Sequence, residues 1–479
     1  MAAVRVEEHA EGIRVVSGLC TIEHRAKNGG CWASLLVGGK EWLRGAAGGS
    51  LRFVQSAPGS ITGNFSAFSE SNESAPRLRS ETSAAGVVSV IAEGTFRDAQ
   101  GKSIPVGYRR RTDYHAHGLI WTTLEILSDS GCDEIVDVRA FELPLTAGWN
   151  EAFARFHPTQ AGGADLLGGR GRYDLTQAGN PTPFMSRFTP LQLSLRQSGG
   201  GIDLFPGSDL AQWDTTFKPD AGLGHYAISR VAAGETVELS PYCMAFRRNK
   251  IKVQGAPALR LGIVLPSERR ARPKVAAIHS PSTRDSEIAA LAAKGVNVLY
   301  FSDAFREGTA FWRNGQHPPY DESGMSELAR IIETAHRRGL KIVPAISLKE
   351  LHPDVPAFAT QSRAWMHQAA PSLGLIHNFT GSGESGALMC LKSGWFDFLK
   401  AHVETVLAAL PWDGLFLDAA TPHPCCNPLH GRGAFHSDIE PLLDFLSFAR
   451  NRVGDGVLAL KTCGSPSQFA EDIADWVEL

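Results

Sequence analysis

Three features are missing from the sequence, and each absence argues against a class of function. None of the eight cysteines forms a C-x-x-C pair, which excludes a zinc ribbon and a thioredoxin-type motif. No stretch approaches the roughly 18 apolar residues of a membrane span, and the N-terminus has no apolar core of signal-peptide length. The 47 basic residues form no stripe and are balanced by 50 acidic ones, so neither nucleic acid nor a membrane is expected as a partner. These absences predict a cytoplasmic protein with reduced thiols.

The length of the chain and a change in its pattern of apolar and turn residues predict two domains. The chain has 479 residues, more than one hydrophobic core normally supports. Residues 1–260 contain short, alternating or β-branched segments separated by many turns, such as 86–96 and 119–127. The segment LQLSLRQSGGGIDLF (191–205) alternates, passes through three glycines and alternates again, which indicates a hairpin. The first domain is therefore predicted to be a large antiparallel β-sandwich.

The pattern of apolar and turn residues changes after a charged linker, 261–273, that ends in proline. Short strands that are apolar on both faces then alternate with amphipathic helices, which is typical of a parallel sheet covered on both sides. The predicted strands are 274–280, 296–303, 340–347, 412–419 and 456–464, with a stub at 475–479. The predicted helices include 286–295, 325–339, 395–411 and a helix that a capping box from Ser437 to Glu440 would open.

The arrangement of polar residues favours a (β/α)8 barrel over an open doubly wound sheet. No glycine-rich phosphate loop follows the first strand, whereas polar or charged residues close the successive strands, at the face where barrels place their chemistry. These residues are His279, Asp303, Ser347 with Lys349, Asp418 and Lys461. Five strands and a stub are too few to close a barrel. The 274–479 barrel is therefore expected to be truncated after strand 5 or 6, and the chain to be a fragment of a longer protein.

The segment DGLFLDA (413–419) carries the sharpest chemical signal. An acid that closes an apolar strand is rarely there for packing, so Asp418 is predicted to be catalytic. The alternative is a structural aspartate that caps the following loop. Asp413, at the opposite end of the strand, is interpreted as a turn residue.

The layout and the motif WDGLFLDA (412–419) resemble the retaining glycoside hydrolases of the α-galactosidase and α-glucosidase clan. The segments AHRRGLKIVPAIS and MCLKSGWFDFLKAHVETVL also resemble barrels of related glycoside-hydrolase-like families. The resemblance implies an N-terminal, galactose-mutarotase-like β-supersandwich and a nucleophile at Asp418, on the fourth barrel strand. It also implies an acid/base on the sixth strand, for which Glu478 is the candidate, with Asp475 behind it. The Lys-x-Asp arrangement typical of α-galactosidases is missing ahead of Asp418, so the resemblance leaves the sugar open.

Five further residues are predicted to bind substrate, each with an ordinary alternative. Asp303 could bind a pair of sugar hydroxyls or cap a turn. Trp312 lies in a long loop and could stack on a sugar ring or simply pack there. His279 and Lys461 end strands and could hold substrate or be paired structural groups. His423, on the loop after Asp418, could touch substrate.

The loop after Asp418 also contains Cys425, Cys426 and His430, whose types are those of zinc ligands. Adjacent cysteines rarely both reach one metal, so no metal site and no cofactor are predicted. A zinc site and a vicinal Cys425–Cys426 disulfide remain as alternatives to an ordinary pocket wall.

The sequence thus predicts a glycoside hydrolase with a carbohydrate substrate and a carboxylate pair. The main alternative is a non-catalytic carbohydrate-binding protein with an enzyme-like barrel. A polysaccharide lyase is a third possibility, but it would use a Tyr, His or Lys base, and the aspartate that closes the strand argues against it.

Overall fold

The computed structural model describes most of the chain. It covers residues 4–54, 65–84, 86–156, 170–174, 190–198, 200–208, 225–231, 234–240, 251–255, 258–266, 272–278, 280, 282–301, 322–351, 355–368, 387–431, 436–462 and 467–478. The chain divides into two compact units, Met1–Glu268 and Arg269–Leu479. No helix among the described residues is long and apolar enough to cross a membrane.

The described residues of the first unit form two antiparallel sheets. The smaller sheet has five strands in chain order: β1 (Arg5–His9), β2 (Gly12–Ser17), β3 (Cys20–Arg25), β4 (Trp32–Val37) and β5 (Lys40–Glu41). The larger sheet has 14 strands: β6 (Gly48–Val54), β7 (Phe65–Ser69), β8 (Arg77–Thr82), β9 (Val88–Arg97), β10 (Ser103–Tyr114), β11 (Leu119–Thr146), β12 (Trp149–Phe156), β13 (Arg170–Asp174), β14 (Pro190–Gln197), β15 (Gly200–Pro206), β16 (His225–Val231), β17 (Gly234–Ser240), β18 (Ile251–Gly255) and β19 (Ala258–Val264).

The core of this unit is shared by the two sheets, because a single hydrophobic cluster contains side chains from both. The smaller sheet contributes Ile13, Val15, Ile22 and Leu35, and the larger one contributes Leu51, Leu124, Leu143 and Leu204, among others. Strands β14 and β15 pair antiparallel with Gln197 opposite Gly200, so the hairpin predicted at 191–205 is confirmed.

The second unit is built on a six-stranded parallel sheet. Its described residues form ten strands, of which β23 with β24 and β26 with β27 make two separate two-stranded sheets. The strands are β20 (Val275–Ile278), β21 (Val298–Phe301), β22 (Lys341–Ser347), β23 (Glu350–Leu351), β24 (Ala387–Leu388), β25 (Gly414–Asp418), β26 (Pro424–Cys425), β27 (His436–Ser437), β28 (Val457–Lys461) and β29 (Trp476–Glu478). The helices are α1 (Asp285–Ala293), α2 (Glu322–Arg337), α3 (Pro356–Trp365), α4 (Trp395–Ala409), α5 (Ile439–Val453) and α6 (Gln468–Ile473). The sheet order is β20-β21-β22-β25-β28-β29, and each neighbouring pair is parallel.

The parallel sheet is strongly curled. The ring centroids of Tyr300 on β21 and Trp476 on β29 lie 5.8 Å apart, although three strands separate β21 from β29 in the sheet. Four strand spacings in a flat sheet would hold those backbones about 19 Å apart. Side chains on one face therefore converge into a concavity.

The observed architecture is thus a mostly antiparallel unit followed by a curled parallel sheet with helices. Each strand and helix predicted in 274–479 lies within a few residues of one in the structure, whereas helix α3 and the short strands β23, β24, β26 and β27 were not predicted. The β-supersandwich and the truncated (β/α)8 barrel stay predictions.

Candidate functional site

Four polar side chains lie in a row at the carboxyl edge of the concave face. In the sheet register Ser347 is the partner of Asp418, and Lys461 is the partner of Glu478. Leu417 pairs with Leu460, which places Asp418 beside Lys461. Side chains alternate between the two faces of a strand, so the residues two positions earlier identify which face carries this row.

Those earlier residues form an apolar floor beneath the row. Phe416, two residues before Asp418, stacks on Tyr300 with ring centroids 4.6 Å apart. Trp476, two residues before Glu478, lies 5.4 Å from Phe416 between centroids. Ala459, two residues before Lys461, belongs to the same hydrophobic cluster. Asp418, Lys461 and Glu478 therefore share the concave face, above an aromatic layer.

The backbone holds Asp418 in a fixed turn. Its Oδ1 accepts a hydrogen bond from the Ala419 N–H at 2.7 Å, and its carbonyl oxygen accepts one from Leu348 at 3.0 Å. Ala419 has a φ of 57°, in the left-handed region that alanine rarely adopts. Ala420 N–H then donates to the Lys461 carbonyl oxygen at 2.8 Å. The carboxylate of Asp418 thus lies on a strained, hydrogen-bonded corner, a type of backbone that clusters at functional sites.

Tyr300 is a member of this site that the sequence analysis missed. Burial raises the pKa of its phenol, the charges of Glu478 and Asp418 raise it further, and Lys461 acts in the opposite direction. The tyrosine therefore stays protonated at neutral pH and can donate a hydrogen bond. Its electrostatic coupling to all three residues places it in the same cluster as Asp418, Lys461 and Glu478. An aromatic residue in the second predicted strand was the only available signal in the sequence.

Two other acids of the region have structural partners at the opposite edge. Asp413 Oδ2 accepts hydrogen bonds from His336 Nε2 and from the Ile342 N–H, both at 2.8 Å. Asp475 Oδ2 accepts from Arg450 and from the Leu458 N–H, also at 2.8 Å. Neither carboxylate lies at the carboxyl edge. Between the two acids proposed for the sixth strand, Glu478 is therefore the one on the concave face.

His423 lies inside the loop after Asp418. It is only 3% exposed, its backbone N–H donates to Asp438 Oδ1 at 2.8 Å, and its Nδ1 lies 3.0 Å from the Thr421 carbonyl oxygen. Asp438 also forms an ion pair with Lys349, and both side chains are buried. The capping box predicted from Ser437 to Glu440 is wrong, because Asp438 is the N-cap residue of α5 and its side chain points to Lys349 rather than to the helix.

A second cluster of reactive side chains lies next to this ion pair. The Cys390, Cys425 and His430 ligand atoms are buried and lie within 4.8 Å of one another. Burial alone would raise the pKa of the Cys425 thiol, but neighbouring Cys390, His430 and His436 hold that pKa well below its ordinary value. Cys425 and Cys426 are not joined in a disulfide, so the vicinal disulfide is absent. Sequence reasoning missed Cys390, which is far from the loop along the chain.

Three predicted substrate-binding residues, His279, Asp303 and Trp312, lie outside the described residues. Of the predicted site, the structure brings together Asp418, Lys461 and Glu478, whereas His423 bonds to Asp438 and Thr421.

Comparison with known proteins finds likeness in shape but little in sequence. No protein-family model matches the chain, and no curated protein matches it. Among solved structures, the galactosidase domain of an alpha-galactosidase-sucrose kinase is 11% identical with a TM-score of 0.43, over 96% of this chain and 72% of that one. A GH36 alpha-galactosidase from Geobacillus stearothermophilus is 9% identical with a TM-score of 0.42, over 96% and 72%. An alpha-N-acetylgalactosaminidase from Bifidobacterium bifidum is 11% identical with a TM-score of 0.36, over 95% and 77%. Values this low assign the chain to no family.

Proposed function

We propose that this chain is a glycosidase in which Asp418 is the nucleophile and Glu478 the general acid/base. The observation that carries the proposal is the pair of carboxylates on either side of Lys461, on the concave face of a parallel sheet, at its carboxyl edge. Hydrolysis of a glycosidic bond needs two carboxyl groups that face each other across the anomeric carbon. The two residues lie on strands separated by a single strand, and the curl of the sheet brings their side chains toward each other.

The surroundings of the two acids support this division of roles. Asp418 is held at a rigid corner by the Ala419 N–H, as an attacking carboxylate must be. Glu478 has the longer side chain, and the carbonyl oxygen of its own residue accepts a hydrogen bond from Thr462 N–H at 2.9 Å. The carboxyl group at the end of that chain can reach a leaving-group oxygen while its backbone stays fixed.

Lys461 and Tyr300 suit substrate binding better than base chemistry. Lys461 lies between the acids and can donate to a sugar hydroxyl or to either carboxylate. Tyr300 keeps its proton because burial and the adjacent carboxylates raise its pKa. This weakens the lyase alternative, since a tyrosine base would have to lose that proton. The aromatic floor of Tyr300, Phe416 and Trp476 offers an apolar surface of the kind that sugar rings pack against.

The finer features of the proposal come from the resemblance of 412–419 to the α-galactosidase clan. They are an α-linked substrate, retention of configuration and a sheet that forms part of a (β/α)8 barrel. Asp303, Trp312 and His279 are proposed to complete substrate binding. His423 is proposed to hold the loop rather than to touch sugar, because it is buried.

The proposal is tested on a panel of aryl α-glycosides with the parent chain and Asp418→Ala. We expect the substitution to lower kcat/KM by at least about 10³-fold, in line with the loss of an essential catalytic group. Azide should restore part of the turnover and yield a glycosyl azide, because the small anion fits the space of the missing carboxylate. Proton NMR of the first sugar that the parent chain releases should show the same anomeric configuration as the substrate, as retention requires.

Asp413→Asn, at the other end of the same strand, is the matched control and should leave kcat/KM unchanged. A parent chain that binds sugars without turning any over would favour the alternative of a non-catalytic carbohydrate-binding protein. Full activity in Asp418→Ala would overturn the assignment of the nucleophile.

A further inference from the structure

Two thiols and two imidazoles meet in a buried pocket beside the loop that follows Asp418. Cys390 follows β24, Cys425 ends β26, His430 lies in the loop beyond it, and His436 begins β27. All four residues are at most 4% exposed. Cys425 Sγ and His430 Nδ1 are 3.4 Å apart, and Cys390 Sγ lies within 4.8 Å of both atoms. Two ligands of a tetrahedral zinc ion are separated by about 3.3–3.8 Å, given Zn–S and Zn–N bonds of about 2.3 and 2.0 Å.

His436 independently indicates that this pocket binds a ligand. It is the register partner of Cys425 in the antiparallel β26–β27 pair, so the two side chains lie on the same side of that ribbon. Its ring is 1% exposed, and neither ring nitrogen has a hydrogen-bond partner of normal geometry among the described residues, although the ring is close enough to Cys425 to lower the pKa of that thiol. The ring centroids of His436 and His430 are 6.2 Å apart. A buried imidazole next to a thiol, with no well-formed hydrogen bond to a described residue, is typical of a metal-binding histidine.

The orientation of His430 is that of a metal-binding histidine. Its Nε2 lies 2.6 Å from the Ala364 carbonyl oxygen at the end of α3. A backbone carbonyl can only accept, so Nε2 carries a proton, and in the neutral ring that a metal binds the lone pair of Nδ1 then faces Cys425 and Cys390. Metal-binding histidines commonly donate their other N–H to a carbonyl in this way, which fixes the ring and its tautomer.

We propose that Cys390, Cys425, His430 and His436 form a closed, tetrahedral site for Zn²⁺ that has a structural role. Two thiolates and two imidazoles are the ligands that zinc prefers over magnesium or calcium. Four protein ligands leave no open position for a substrate. No metal was expected from the sequence, because the adjacent Cys425 and Cys426 rarely both reach one ion, whereas here the second thiol comes from Cys390.

Two other uses of the cluster fit the geometry less well. A nucleophilic Cys425–His430 pair would need access, and Cys425 is fully buried. A Cys390–Cys425 disulfide would leave the ring nitrogens of His436 and the lone pair of His430 Nδ1 without a function. Zinc would satisfy all four groups at once.

The consequence of the site is that it ties together three separate segments. Cys390 N–H donates to the Trp365 carbonyl oxygen at 2.9 Å, and His430 bonds to Ala364, so both ligands also cap the carboxyl end of α3. Cys425 lies seven residues after Asp418 in the loop that this residue begins. The metal would therefore anchor that loop independently of any catalytic chemistry.

The experiment uses the full chain without a histidine tag, purified under reducing conditions from cells supplied with zinc or with cobalt. We expect about one zinc per chain by mass spectrometry of the metal. The cobalt form should show the visible and near-ultraviolet absorption of tetrahedral, thiolate-bound Co²⁺. Cys425→Ser and Cys390→Ser should lose that absorption, and their zinc affinity should fall by more than the roughly 10–100-fold that loss of an outer-shell partner costs.

Cys426→Ser is the matched control, because it removes the adjacent thiol and should keep both the metal and the spectrum. A parent chain without stoichiometric zinc and without the cobalt–thiolate absorption overturns the proposal, whether its thiols are free or joined in a disulfide. Full metal content in Cys425→Ser overturns it too. The spectrum of the parent decides the matter even if a ligand variant fails to fold.

Discussion

At the scale of single residues, burial decides how much an ion pair matters, and two neighbouring arginines of β10 illustrate this. Arg110 is buried and donates to both carboxylate oxygens of Glu70, at 2.8 and 3.0 Å, and to the Ala140 carbonyl oxygen. Arg109, next to it, pairs with Glu93 and Glu125, but its side chain is 46% exposed. Removal of Arg110 leaves a buried, uncompensated carboxylate, whereas removal of Arg109 leaves groups that water can solvate.

We therefore expect Arg110→Met to lower the free energy of unfolding by about 3–5 kcal/mol. Arg109→Met, the matched control on the adjacent position, should lower it by at most about 1 kcal/mol. Hydrogen exchange of peptides from β9 to β11, at increasing urea concentrations, measures the local stability of this unit separately from the other. Equal losses in the two variants would contradict the argument.

The same scale shows what the sequence could reveal about the candidate site. Asp418 and Lys461 were predicted because each ends a short apolar strand, a purely local signal, and Glu478 because the family resemblance pointed to the sixth strand. Tyr300 and Cys390 were missed because their importance arises from contacts between distant segments. The Lys349–Asp438 ion pair was missed for the same reason, since 89 residues separate its partners. Local periodicity holds no information about which loops meet.

At the scale of elements, the alternation of strands and helices in 274–479 was predictable from the sequence. Strands such as Gly414–Asp418 are apolar on both faces, and helices such as α2 have an apolar stripe. The type of each element can therefore be predicted from its own residues. The curl of the sheet was not predictable, because it depends on how Tyr300, Phe416 and Trp476 pack across strands. Strands β25 and β28 can pack closely because residue 414, opposite Val457, is a glycine.

We expect Gly414→Ala to destabilise the second unit by about 2–4 kcal/mol, because the added Cβ would lie 1.8 Å from the Val457 carbonyl oxygen. The clash would push β28, and with it Lys461, away from β25. Gly339→Ala is the control: its φ of 70° is unfavourable for alanine, but nothing lies within 4 Å of the added atom. It should cost only about 1–2 kcal/mol.

Hydrogen exchange of peptides from β25 and β28 distinguishes these two effects. Gly414→Ala should weaken protection in both strands, whereas Gly339→Ala should act near the end of α2. Undisturbed protection of β28 in Gly414→Ala would mean that the two strands are not packed as closely as described.

At the scale of the whole molecule, each compact unit contains a buried histidine that resists protonation. Burial lowers the pKa of His24 in the first unit, and of His402 in the second, to about 4. In the unfolded chain both would have a pKa of about 6.5. Between those two values the unfolded chain binds more protons than the folded chain. The contribution of these neutral histidines to the free energy of unfolding is therefore fully present above about pH 6.5 and is lost progressively as the pH falls toward 4.

We accordingly expect both units to lose stability on acidification from pH 7 to pH 5, by up to about 1.4 kcal/mol per pH unit for each histidine. His402→Phe removes the titrating ring from α4 but keeps an aromatic side chain against Phe398, on which His402 stacks. Hydrogen exchange of 395–409 should then depend less on pH in the variant than in the parent. Peptides from β3, which contains His24, should keep the pH dependence of the parent and serve as the internal control. An unchanged pH dependence in 395–409 would show that groups other than His402 govern the acid response of the second unit.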